Sequence, residues 1–144
     1  MTGAFSLAVH ALVYLNHKAT TLSSEMLAEN ICTNPARIRK VMSQLKRAGL
    51  ISTKEGIDGG YHFEGNIQSI TLRQIAEAVD AQFVSASWHS GSEDKDCLVA
   101  SGMAQIMDGI YARLNQDCLS RLEQITLADI DRQIFRNSDS AREE

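Results

Sequence analysis

The chain has 144 residues, 44% of them hydrophobic, a formal net charge of -4 and a single proline. That composition suits one soluble domain, with room for an appended oligomerisation element, and it favours helices. No run of about 18 apolar residues excludes a membrane-spanning helix, and three cysteines with no close pair disfavour a disulfide framework or a zinc finger. The N-terminus lacks the charged start and continuous apolar core of a signal peptide, so cytoplasm is the expected location.

Charge is unevenly spread. Residues 1–80 hold 8 Lys and Arg against 7 Asp and Glu, and residues 81–144 hold 6 against 11. Within the first part, Arg37, Arg39, Lys40, Lys46, Arg47 and Lys54 lie in a stretch from Thr33 to Lys54 that has no carboxylate. An acidic protein with so concentrated a basic patch is expected to bind nucleic acid through it.

In chain order, Phe5 to Asn16 predicts a helix, with Phe5, Ala8, Val9, Leu12, Val13 and Leu15 as its apolar stripe. His10 and His17 fall in or beside it and are expected to be structural or solvated, since neither has a partner at ligand spacing. Ser23 or Ser24 can cap a second helix to about Asn30, with Met26, Leu27 and Ile31 inward. Thr33 or Asn34 can cap a third, where Pro35 suits the first helical position and Gly49 the C-terminal stop. Two short helices across a tight turn predict a helix-turn-helix, with Ala28 and Cys32 as small residues at the contact and Cys32 a buried filler.

The third helix can be read face by face. Ile38, Val41, Met42 and Leu45 mark its buried side. Opposite stand Ala36, Lys40, Ser43 and Arg47, flanked by Arg37, Gln44, Arg39 and Lys46. A solvated charged face is the bland alternative. The absence of compensating Glu at helical spacing and the neighbouring turn favour DNA recognition.

Leu50 to Thr53 and Tyr61 to Phe63 predict a hairpin whose turn, Asp58-Gly59-Gly60, supplies positive φ. A hairpin after a recognition helix is a wing. Thr71 is expected to cap a helix through Val79, and Gln82 to Asp96 is a long irregular loop holding Trp88 and His89. Asp96 is the expected cap of a long helix from Cys97 to Glu123 carrying Val99, Met103, Ile106, Met107, Ile110, Leu114 and Leu122. One face of it would cover the domain and another would meet a second copy. Cys118 on this helix is expected to pack. Thr126 caps a short last helix with Leu127, Ile130, Ile134 and Phe135. The expected organisation is a winged helix-turn-helix domain over 1–80, a sensor-type loop over 81–96, a dimerisation helix and C-terminal helix over 97–135, and a flexible tail over 136–144. The fold class is mainly α with a small β-hairpin.

This order of elements resembles the Rrf-two family of bacterial winged-helix transcription regulators, over roughly residues 4–135. The pieces that carry the likeness are Asn34 to Leu50 leading into Ile51, then Gly59-Gly60-Tyr61, then Leu72 to Val79 within TLRQIAEAV. The resemblance implies a homodimer paired through the long helices on a pseudo-palindromic double-stranded operator, since twofold symmetry in the protein must be matched by the DNA. It implies base-reading candidates at Asn34, Arg37, Lys40 and Ser43. Lys46, Arg47 and Lys54 would mainly contact phosphate, with Arg39 on the same face and Gly59, Gly60 and Tyr61 shaping the wing.

Two positions depart from the family pattern. Glu55-Gly56 stands where family wings often have Arg-Gly, and a carboxylate there opposes minor-groove reading. Cluster-binding relatives carry three loop cysteines and a further ligand such as His, whereas only Cys97 matches here and Ala100 takes the His position. An iron–sulfur cluster normally takes about four ligands, so no cofactor is expected and the chain resembles a clusterless branch. Cys97 is left with three readings, a thiol redox sensor, a residue without a sensing role, or a response to another ligand or partner; the effector is open. The competing function is a protein-interaction module on the same fold without operator binding. No nucleophile–base arrangement, phosphate loop or paired carboxylates beside a His predicts an enzyme.

Overall fold

The computed structural model describes residues 3–143, with side chains to residue 136. Helix α1 (Gly3–Lys18) buries Leu7, Ala8, Ala11, Leu12, Val13 and Leu15. Phe5 and Val9 of the expected stripe are only half-buried and pack at its edge. Helix α2 (Ser24–Ile31) starts at Ser23, whose hydroxyl accepts from Met26 N–H. Helix α3 (Pro35–Arg47) starts at Asn34, whose side-chain oxygen accepts from Arg37 N–H at 2.8 Å. Leu12, Leu27, Ile38, Met42 and Leu45 are fully enclosed where the three helices meet, each contributing about 1.5–3 kcal/mol by burial.

Two expectations in this region need correcting. Met26 is exposed, because the α2 face that meets α3 is formed by Leu27 and Ala28. Cys32 is not a buried filler. It is exposed in the left-handed region at φ 64°, where it ends α2, and its N–H donates to Ala28 O. Reversing the chain between α2 and α3 requires that conformation, and it turns the side chain outward.

Strands β1 (Ser52–Lys54) and β2 (Gly60–His62) form an antiparallel hairpin, pairing Ser52 with His62, Thr53 with Tyr61 and Lys54 with Gly60. Both strands are shifted from the expected ranges, since Ile51 and Phe63 turn into the core. Positive φ is carried by Gly56 and Gly60, not Gly59. Gly60 also allows close approach: a Cβ there would collide with Leu22 O. Leu22 and Tyr61 exchange backbone hydrogen bonds of 3.0 and 2.8 Å, fastening the wing to the α1–α2 connector.

Helix α4 (Leu72–Ala78) begins with a reciprocal cap between Thr71 and Gln74. Helix α5 (Leu98–Leu122) begins at Cys97 instead of Asp96. Helix α6 (Leu127–Glu143) begins with a second reciprocal cap, Thr126 with Asp129. The boundary expected at 136 falls inside its backbone. Side chains beyond 136, and Glu144, lie outside the described residues. Thr71 and Thr126 pair as a bridge, with Leu72 N–H donating to Ile125 O and Leu127 N–H to Ile70 O. Leu119 and Leu127 join the same buried cluster as α1 to α4.

The loop between α4 and α5 is anchored at several points. Asn115, the buried polar residue of α5, accepts from Phe83 N–H at 2.9 Å. Phe83 packs edge-on against Phe5, Ser92 N–H donates to Ala100 O, and His89 pairs with Asp108.

Candidate nucleic-acid interface

The α3 face opposite the core is open, with Ala36, Lys40, Ser43 and Arg47 all exposed. The flanks differ. On one side, Arg39 reaches Ser24 Oγ at 3.4 Å and Lys46 donates to Thr53 Oγ1 at 2.9 Å, tying α3 to the start of α2 and to β1. On the other, the Arg37 guanidinium lies over Gly3 at the start of α1. The six cations are therefore three kinds: Lys40 and Arg47 point outward, Arg39, Lys46 and Lys54 line the wing side, and Arg37 leans on α1. Among the described residues, none of the five ion pairs involves any of them.

Asn34 is exposed, but its side-chain oxygen is used as the α3 cap. It fixes the entry of the helix, with only its amide NH2 left for a base edge. Gly59 and Gly60 shape the hairpin. Tyr61 is half-buried beside α2. Burial pushes its phenol up, opposed by the nearby Arg39 charge and reinforced by Glu25.

Sequence reasoning missed one part of this surface. Ser23, Ser24, Glu25, Thr53, Lys54, Tyr61 and the Gly59-Gly60 backbone line a shallow depression between α2 and the wing, so the Lys54 ammonium and the Glu25 carboxylate share it. Adjacent Ser-Ser before a helix was the available signal, read there only as a cap. The wing tip is unlike this surface: Ile57 is fully exposed between Glu55 and Asp58.

On α5, Val99, Ile106, Ile110 and Leu114 are exposed, with Met103 and Met107 half-buried between them. The opposite face presents Asn115, Leu119 and Leu122 to the domain. Leu122 thus belongs to the covering face, and the exposed Leu98 extends the open one. Cys97 is exposed at the α5 N-terminus. The backbone N–H groups of Ala100 and then Val99 hold its thiol below the ordinary 9.0, without a full cap hydrogen bond to the sulfur. Cys118 is half-buried on the same helix.

The family model described as Rrf2, iron-dependent transcriptional regulator, matches residues 1–133. The chain belongs to the Rrf2 family. Members of the family are DNA-binding transcriptional regulators and not enzymes. Among curated relatives, the chain is 25% identical over 130 residues to YwnA of Bacillus subtilis (strain 168), assigned as an HTH-type transcriptional regulator. That match covers 90% of this chain and 96% of YwnA. The Rrf2 fold is shared with a protein from Lactobacillus plantarum described as a transcriptional regulator, at TM-score 0.81 and 21% identity over 98% and 99% of the two chains. It is also shared with CymR, the global cysteine regulator of B. subtilis, at TM-score 0.63 and 17% identity over 91% and 95%. The winged-helix architecture and the mainly helical class are those of these neighbours.

Proposed function

We propose that this Rrf2 protein is a cytoplasmic homodimeric repressor that binds a pseudo-palindromic double-stranded operator through α3. The observation that carries the reading is the open α3 face, where Lys40, Ser43 and Arg47 are exposed and the surrounding cations have no carboxylate partner among the described residues. Lys40 and Ser43 are the base-reading candidates. Arg39, Lys46, Arg47 and Lys54 supply phosphate contacts, with Arg37 at the α1 edge. The second copy docks on the α5 stripe of Val99, Ile106 and Ile110, since apolar side chains so placed on a soluble helix mark an interaction surface.

The reading includes no iron–sulfur cluster. Among the described residues no three His, Cys, Asp or Glu converge as a metal site. Cys97 is the one cysteine at the loop, because Cys32 lies in the helix-turn-helix and Cys118 far along α5. That donor set does not fit a cluster needing about four ligands. Cys97 is the candidate redox input, supported by its exposure and lowered thiol pKa.

The test is binding to DNA upstream of the protein's own coding region, across a salt series, with Lys40→Ala beside the wild type. Affinity should fall steeply with salt, and Lys40→Ala should cost about 1–3 kcal/mol. Weak binding, equal on random DNA and insensitive to Lys40→Ala, would instead favour a protein-interaction module.

A further inference from the structure

Between α1 and α6 runs a groove of about 640 Å³, within the range of sites for small organic ligands. Its walls are apolar: Val9 and Val13 from α1 face Ile130 and Ile134 from α6, with Leu72 among the lining. One edge is polar, formed by His10, Tyr14 and His17 of α1 with Asn30 of α2. His10 Nε2 donates to Asn30 Oδ1 at 2.7 Å, which in the neutral ring makes Nδ1 an acceptor. The His17 ring stacks on Phe135 with centroids 4.6 Å apart.

Among the described residues no charged side chain lines the groove, and beside it the Lys18 ammonium lies 5.7 Å from the Tyr14 ring centroid. Glu29 lines a neighbouring depression together with Tyr14 and Lys18. No α5 residue takes part, so the groove is separate from the stripe assigned to the second copy.

We infer that this groove binds an amphipathic organic acid, a single carboxylate on an apolar chain or ring. The apolar part lies between the valines and isoleucines, and the head group meets the His10, Tyr14 and His17 edge. Asn30 is in the last turn of α2, so a carboxylate that replaces it as the acceptor of the His10 Nε2–H acts on the scaffold of the helix-turn-helix. That coupling rests on the proposed DNA reading; the binding itself does not.

The full-length protein is titrated with 8-anilinonaphthalene-1-sulfonate, and the fluorescent probe is displaced with octanoate or with octan-1-ol. Octanoate should displace it at a concentration at least tenfold lower than the alcohol. Ile134→Glu, a change at an exposed position that brings a carboxylate to the groove, should weaken octanoate at least tenfold with the circular dichroism unchanged. His10→Phe should remove the preference for the acid while keeping binding of the alcohol. Equal displacement by acid and alcohol would overturn the inference. So would an Ile134→Glu protein that keeps its octanoate affinity but sediments as a smaller species, which would give the groove to a second copy.

Discussion

Cys97 shows how one position takes its chemistry from local backbone. By sequence, Glu93, Asp94 and Asp96 weigh against a thiolate. In the fold the dominant causes are the N–H groups of Ala100 and Val99, and the three carboxylates are not among them. The thiol is lowered from the ordinary cysteine value, so the reactive thiolate is present at lower pH. Alkylation by iodoacetamide, followed residue by residue by mass spectrometry, should reach half its maximal rate at Cys97 at lower pH than at a cysteine in an unstructured peptide, about 8.5. A midpoint at or above the peptide's would remove the physical basis for a redox input. The same scale separates Lys40 from Arg37: both are cations on one helix, yet one faces outward and the other lies over Gly3.

At the scale of elements, the helix-turn-helix depends on a costly residue. Cys32 holds the left-handed turn at φ 64°, a conformation costing a non-glycine residue roughly 1–2 kcal/mol. Glycine would remove that cost and give back about 0.5–1 kcal/mol through its freer unfolded state. Cys32→Gly should therefore stabilise the protein by roughly 0.5–1 kcal/mol, read as a higher urea midpoint with an unchanged slope. A lower midpoint would mean that the Cys32 side chain contributes more than its conformation costs. The two reciprocal caps at Thr71 and Thr126 are a related case. Each starts its own helix, and their bridge holds the α4 start against the α6 start.

At the scale of the whole molecule, α5 has two faces with different partners. Asn115, Leu119 and Leu122 serve the domain and its loop, while Ile106 is 61% exposed on the other side. Ile106→Glu would place two like charges near the axis of the proposed dimer. It should yield a monomer in sedimentation equilibrium with unchanged helicity, and weaken operator binding by removing the second half-site contact. A dimer that survives the change would place the interface elsewhere.

The sequence by itself determined the element order, the helix starts at Thr71 and Thr126, those of α2 and α3 to within one residue, the buried face of α3 and the open stripe of α5. Each of these follows from local rules: side chains that cap free N–H groups, and apolar spacing that matches the helical repeat. Tertiary structure decided what depends on which segments meet. It turned Cys32 and Met26 outward, kept the positive φ of the wing at Gly60 while giving the other to Gly56 instead of Gly59, and brought Ser23 and Ser24 beside Lys54 and Tyr61. It also opened the groove between α1 and α6, whose walls are more than 100 residues apart in the chain. Spacing along a chain records which side of an element is apolar, but only packing decides whether that side meets the core, another element or an open space.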